Sequence, residues 1–323
     1  LLDSENTKLS IGDEDIGENF KNISSFIQQP YFRTAPIPLY MLAEKVRLNG
    51  QKAVLTGEGA DEILLGYDIF REKVAIDFIK ENPKSKWRYK IFDRLYSYLP
   101  QFKNQRYRKL AIETLMREGN YGVLNPLKSR ISNNSRSLGF LDNVVIEEEI
   151  DKLINEYEDY TSGYELDGVD MIQLFEINNL LSGYLLTSQG DRVAMANSVE
   201  TRYPYLDLDF VNYALGLPRI FKLRGTEYKR ILRSSYRSRL PKKIVDAPKI
   251  AYQAPEARAI LLSSEIMDDL LSKSNPIYRH YSYEMVRKVI NRVSESDKRG
   301  SFGDNMLICV CASLSTILSN GQG

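Results

Sequence analysis

The chain has 323 residues, enough for one large domain or two small ones, and its 43% hydrophobic and 27% charged content is ordinary for a soluble globular protein. A formal net charge of +1 argues against a nucleic-acid or acidic-membrane partner held by bulk charge. One histidine (His280) and two cysteines (Cys309, Cys311) in an apolar segment argue against Ser-His-Asp, Cys-His and structural zinc chemistry.

In chain order, Leu1 to Glu18 is polar and acidic and reads as a loop or edge. Phe20, Ile23, Phe26 and Ile27 recur at helical spacing over residues 19–28, and Pro30 closes that helix. Ala35-Pro36-Ile37-Pro38 reads as an extended link, and Leu39 to Leu48 as a helix ended by Asn49-Gly50. Ala53-Val54-Leu55 reads as a short buried strand of a parallel sheet ending at Thr56. Gly57 and Gly59 follow with three carboxylates, Glu58, Asp61 and Glu62, and then a helical pattern. Helix, strand, glycine turn and helix is the rhythm of a doubly wound sheet, whose ligands bind at the carboxyl ends of the strands.

The two glycines admit a ligand to the backbone, and a helix N-terminus favours phosphate. Three acids beside phosphate need a cation, and Mg²⁺ binds one or two carboxylates together with phosphates. The alternative is that Asp61 and Glu62 complement the helix dipole while Glu58 is solvated.

Asp68 to Gly119 is helical and basic, with aromatics among the cations. Nucleic-acid stacking is one reading, but the near-neutral total favours solvated cationic faces. Residues 120–142 read as a polar loop, 145–157 as an amphipathic helix, and 168–186 as a helix apolar on nearly all faces and central to the core. Residues 187–207 pack polar groups among apolar ones. Because buried charges need partners, Asp191, Arg192, Glu200 and Arg202 are expected to form a network, with a structural role for Glu200 and Arg202. A helix from Tyr228 to Leu240 leads to a Pro-flanked irregular segment holding Lys249, which either reaches a phosphate or is solvated. Residues 256–323 read as closing helices at 257–262, 266–271, 283–293 and 305–318, with His280 at the surface. Apolar runs are shorter than the roughly 20 residues that span a bilayer, and no signal peptide is visible. A cytoplasmic protein without a membrane partner is expected, and because the chain opens on Leu1 its true N-terminus is expected elsewhere.

Three stretches resemble one family, in its order. Thr56-Gly57-Glu58-Gly59-Ala60-Asp61-Glu62 with Gly66-Tyr67 is similar to a signature of asparagine synthetase-type ATP-dependent amidotransferases. Residues 191–207 resemble the family's Asp-Arg-x-x-Met-Ala-(His)-x-x-Glu-x-Arg-x-Pro-Phe-Leu-Asp block, with Asn197 for His and Tyr205 for Phe. Residues 228–255 resemble its Lys-x-x-Leu-Arg helix and Arg-x-Lys loop, with Lys249 at the lysine and Ala247 at the arginine. The likeness runs from about Ile23 to Pro255 and is nearest to the longer bacterial members.

The resemblance implies an α/β fold of the adenine-nucleotide α-hydrolase-like (PP-loop ATP pyrophosphatase) type. In it a parallel sheet, here residues 1–67, carries a large, mostly helical part, residues 68–323, so that this chain is predominantly helical. It implies ATP and Mg²⁺ as cofactors, with Gly57, Gly59, Asp61 and Lys249 at the nucleotide and Asp61 at the metal. It implies catalytic roles for Glu58, Lys249 and Asp191, and a carboxylate pocket at Asp191 and Arg192. The glutaminase domain and the Ser-Gly-Gly-x-Asp-Ser loop do not occur in this sequence. The chain therefore resembles the carboxyl-terminal part of a synthetase, inactive alone, that needs those parts in cis or in trans; a homodimer is left open.

The reaction implied is activation of a carboxylate, aspartate above all, as an acyl-adenylate, followed by attack of ammonia drawn from glutamine. Ring-closing relatives carry Tyr where this chain has Glu58, which favours external ammonia. The alternatives are amidation of a sugar uronate, peptide or antibiotic precursor, or a catalytically silent binding subunit.

Overall fold

The computed structural model describes residues 5–95, 104–117, 119–138, 141, 145–249, 256–295 and 301–320. Helix formation starts earlier than the apolar spacing predicts, because α1 (Asp13–Ile27) takes in part of the expected loop. Asp13, Glu14 and Asp15 crowd its first turn, where the dipole favours acids, and the Asp15 carboxylate accepts the Gly12 N–H at 2.7 Å. Ile16 thereby joins Phe20, Ile23 and Ile27 in a buried stripe. The expected proline link is the first turn of α2 (Pro36–Leu48), where no intrahelical N–H is needed.

The strand β1 (Ala53–Leu55) forms where expected, and a single helical turn, α3 (Ala60–Ile63), follows the glycines. Next come α4 (Asp68–Lys80) and α5 (Gln105–Met116), the latter capped by the Asn104 side chain. The expected polar loop at 120–142 contains a 3₁₀ turn at Gly122–Leu127 and α6 (Lys128–Leu138). Leu124, Leu127 and Ile131 recur there at helical spacing and are buried. Residues 139, 140 and 142 of that stretch lie outside the described residues.

Beyond α7 (Ile146–Thr161), α8 (Gly168–Phe175) is capped by Asp167. It then runs on in wider π-type turns over Glu176–Leu185 and Thr187–Asp191 instead of as one regular helix. The Leu186 N–H reaches the Leu181 carbonyl at 2.9 Å, and the Asp191 N–H reaches the Leu186 carbonyl at 2.7 Å. Such turns widen a helix and recur at functional sites; here they end on Asp191 and feed α9 (Arg192–Ala196).

The partner of β1 is β2 (Glu200–Arg202), whose polar triplet carries no apolar signal. The strands run parallel, with Ala53 opposite Glu200 and Leu55 opposite Arg202. Val54 packs against the cluster of Ala43, Ala194 and Val199, whereas Leu55 is 76% exposed. The expectation of a buried strand is thus corrected: among the described residues the sheet has two strands and one covered face.

After α10 (Leu208–Gly216) and α11 (Arg219–Lys222), the helix expected from Tyr228 to Leu240 is the shorter α12 (Arg230–Tyr236), followed by α13 (Lys242–Val245). The closing helices are α14 (Ala257–Ile260), α15 (Ser264–Leu271), α16 (Tyr283–Ser294) and α17 (Phe302–Asn320). With its 19 residues α17 is long and apolar enough to cross a membrane by length and composition, contrary to the expectation from apolar runs. It packs instead against α1 and α14, with Leu307, Ile308, Cys309 and Cys311 buried. Asp304 in its first turn pairs with Arg292.

Candidate active site

The site begins where β1 ends. The Thr56 N–H donates to the Arg202 carbonyl at 2.9 Å, the last bond of the sheet, and the chain then turns on Gly57 and Gly59. Gly59 has φ +86°, and a Cβ there would lie 2.3 Å from Leu206 Cδ2, so both backbone and neighbour demand glycine. A Cβ on Gly57 would meet nothing within 4 Å, so this side of the turn is open. Leu65, also in the left-handed region at φ 56°, turns the chain back so that the Gly66 N–H reaches the Asp61 carbonyl at 2.7 Å.

Asp61 is the hub. Its Oδ1 lies 2.8 Å from Lys229 Nζ and its Oδ2 2.9 Å from Lys249 Nζ. The Lys249 ammonium also lies 5.3 Å from the centre of the Tyr67 ring. The Lys249 backbone N–H donates to the Tyr228 hydroxyl, which donates in turn to the Ala247 carbonyl at 3.3 Å. The Tyr228 ring has the Arg71 and Arg233 guanidinium carbons 4.7 and 4.1 Å from its centre. Arg233 also donates to the Ala247 carbonyl at 2.8 Å. An irregular segment is thereby held at three points.

The three acids of the turn differ. Glu62 is buried and accepts from the Tyr67 hydroxyl, while the Gln173 amide donates to the Glu62 and Ile63 carbonyls at 2.8 and 3.1 Å. Burial raises the Glu62 pKa, against the pull of the Tyr67 hydrogen bond. Behind it, Glu176 is fully buried and paired with Arg130; burial raises its pKa as well. Glu58 is half-buried at the open side of the turn. Burial raises its pKa, Glu62 and Asp61 push it further, and Lys249 and Lys229 pull it back.

Asp191 stands at the neighbouring strand. Its Oδ1 accepts from the Thr201 hydroxyl at 2.8 Å and the Tyr203 hydroxyl at 2.7 Å. The Tyr203 phenol is pushed up to about 12, first by burial and further by the negative charges of Asp191 and Glu58. Arg192 turns elsewhere: its guanidinium donates to the Ile27 carbonyl at the end of α1. Glu200 and Arg202 pair with each other at 2.9 Å on the exposed face of β2. The expected four-residue network is therefore corrected. The strand alternates its side chains, which sends Thr201 toward Asp191 and the flanking charges to solvent.

Residues 1–314 match the family model for asparagine synthase. The chain belongs to the asparagine synthase family. Its sequence is 26% identical over 272 residues to asparagine synthetase [glutamine-hydrolyzing] 1 of Bacillus subtilis (strain 168), covering 79% of this chain and 38% of that protein. It is 26% identical over 250 residues to a putative asparagine synthetase [glutamine-hydrolyzing] of Mycobacterium tuberculosis (strain ATCC 25618 / H37Rv), covering 75% and 35%. It is 23% identical over 269 residues to the amidase chry2 of Gibberella zeae, covering 72% and 37%. The chain thus spans well under half the length of the curated relatives it matches.

Within this member of the asparagine synthase family, the structure gathers Glu58, Asp61 and Lys249 around one turn, joins Asp191 to Thr201 and Tyr203 at the second strand, and engages Arg192 with α1. Sequence reasoning missed Lys229, Tyr228 and Tyr203. Lys229 opens the Lys-x-x-Leu-Arg helix, and that placement was the available signal.

Among the described residues no three His, Cys, Asp or Glu side chains group to hold a metal ion, and both Asp61 oxygens face ammonium groups. One carboxylate fits an ion carried in on phosphate oxygens, the usual habit of Mg²⁺, rather than an ion bound beforehand.

Proposed function

We propose that the protein containing this chain performs ATP-dependent amidation of a carboxylate, with aspartate as acceptor and glutamine as the source of ammonia. The carrying observation is that Glu58, Asp61, Lys249 and Lys229 converge at the carboxyl end of a parallel strand in a member of the asparagine synthase family. Strand ends in parallel sheets are where ligands bind, and the convergence supports a PP-loop-type sheet extended beyond residues 1–67. The fuller enzyme would supply the glutaminase and pyrophosphate-loop parts, and a homodimer is compatible with this reading.

A carboxylate does not react with ammonia because its leaving group would be oxide. In the first step one carboxylate oxygen bonds to the α-phosphorus of ATP and pyrophosphate leaves. Gly57 and Gly59 let phosphate approach the backbone, and Lys249 neutralises charge on the departing pyrophosphate. Magnesium bound to the phosphates would add positive charge next to Asp61. In the second step ammonia attacks the acyl carbon of the adenylate, Glu58 takes a proton from the incoming nitrogen, and AMP leaves. Asp191 has both hydroxyl partners on Oδ1, which leaves Oδ2 for the acceptor's donor groups. We assign Arg192 to holding α1.

The test supplies full-length protein with ATP, Mg²⁺, aspartate and ammonium. AMP, pyrophosphate and asparagine in equal amounts are expected; ADP and phosphate would overturn the reading. The relatives named amidase motivate a second arm with peptide and other organic acids, and turnover confined to one of these would move the acceptor while keeping the chemistry.

A further inference from the structure

A cavity of about 360 Å³ opens between α4, the 3₁₀ turn at Gly122–Leu127 and the first turns of α6 and α8. It shares no lining residue with the glycine turn. Ile69, Ile76, Leu115, Val123 and Met171 make its walls apolar. Glu72 of α4 lines it, half-buried, and among the described residues no group donates a hydrogen bond to its carboxylate. The two guanidinium groups that act on it are committed elsewhere, Arg71 to Asp68 and Arg130 to Glu176. Burial raises the Glu72 carboxyl to about 7, Asp68 pushes it further up, and Arg130 and Arg71 pull it back. An acid kept from water without a partner is costly, and no contact of the fold repays this one.

The other charges of the lining already have partners: Lys73 pairs with Asp77, Asp167 with Arg219, and Lys80 and Lys128 are engaged as well. Glu72 therefore sets the sign of what the cavity can take, and a single acid against apolar walls suits an organic cation. An alkylammonium has three donors and no acceptor. Three acceptors line the cavity: Glu72, the Ser129 hydroxyl and Asn125 Oδ1, whose other lone pair takes the Gly119 N–H at 3.1 Å. We propose that this cavity binds a small organic amine in its protonated form, with the ammonium on Glu72 and the carbon chain along α4 and α8. α4 starts directly after Tyr67, whose hydroxyl donates to Glu62, and α8 carries Gln173, whose amide donates to the Glu62 and Ile63 carbonyls. The amine would tie together the two helices that brace the glycine turn without touching Glu58, Asp61 or Lys249, the position of an effector and not of a reactant. The cavity would take it whatever reaction the turn performs.

The test is calorimetry on full-length protein with n-hexylammonium as the probe, and with hexanol and hexanoate as neutral and anionic controls of the same length. Hexylammonium is expected to bind in preference to both controls, and to bind more tightly as pH rises through about 7, where Glu72 ionises. Glu72→Gln keeps the shape and removes the charge. It should weaken hexylammonium binding about tenfold or more, the scale of a hydrogen bond to a charged group. Hexanol binding as well as hexylammonium, or equal affinity of parent and Glu72→Gln, would show apolar partitioning only and overturn the proposal. Preference for hexanoate, or no measurable binding of hexylammonium, would overturn it too. If Glu72→Gln does not fold, the pH profile of the unaltered protein decides, and an affinity that stays flat across that range would overturn the proposal.

Discussion

Gly59 and Gly50 share a backbone and differ in surroundings, which makes them a matched pair. Gly50 has φ +82° with nothing within 4 Å of a built Cβ; Gly59 has φ +86° with Leu206 Cδ2 at 2.3 Å and Cγ at 2.7 Å. Alanine at either position carries a left-handed penalty of about 1–2 kcal/mol. Restricting the unfolded chain returns about 0.4–1 kcal/mol of that. Gly50→Ala should therefore cost no more than about 1.6 kcal/mol. At Gly59 the new methyl also displaces Leu206, which packs with Ile63, Leu64 and Ala214. Overpacking of that kind adds about 1–3 kcal/mol, so Gly59→Ala should cost about 1–3 kcal/mol more than Gly50→Ala. Urea denaturation of both variants in the same protein measures the difference directly. Equal losses would refute the packing argument, and with it the reason Glu58 and Asp61 stand where they do.

Three further outcomes follow from the same geometry. Arg130→Met leaves Glu176 fully buried without its ion pair, and a drop of about 3–5 kcal/mol is expected in denaturant titration, with recovery when Glu176→Gln is added. Because the Glu58 pKa is raised on folding, the folded state holds more protons than the unfolded state above the ordinary value of 4.5, so stability from this group falls as pH rises through that range. Glu58→Gln should accordingly be more stable than the parent at neutral pH, with the difference fading below pH 4.5, as read by melting temperature across pH. Arg192→Met removes a guanidinium from the Ile27 carbonyl; a lower melting temperature with an unchanged KM for the carboxylate is expected, and the reverse pattern would return Arg192 to the substrate.

The legible parts of the chain were those where one local rule decides. β1, the glycine turn and the apolar helix α17 follow from short apolar runs, backbone freedom and composition. The irregular setting of Lys249 followed from its flanking prolines. The illegible parts depend on partners far away in sequence. Glu200-Thr201-Arg202 is a strand because β1 lies alongside it, and nothing in those three polar residues says so. The π-type turns before Asp191 change the angular position of every later side chain, so periodicity read as a regular helix could not place Asp191 or Arg192. Lys229 belongs to the site through a backbone angle that its residue type disfavours, where local preference gives the wrong answer. The acids of the turn looked alike in sequence and separate only by burial: Glu62 is enclosed, Asp61 is held by two lysines, and Glu58 faces the open side.

The central claim is that a carboxylate oxygen bonds to the α-phosphorus of ATP at this turn. Aspartate labelled with ¹⁸O in its side-chain carboxylate, given to full-length protein with ATP, Mg²⁺ and ammonium, tests it without any variant. One labelled oxygen per turnover should appear in AMP, read by mass spectrometry. Label in inorganic phosphate, or amide formed with unlabelled AMP, would contradict the account.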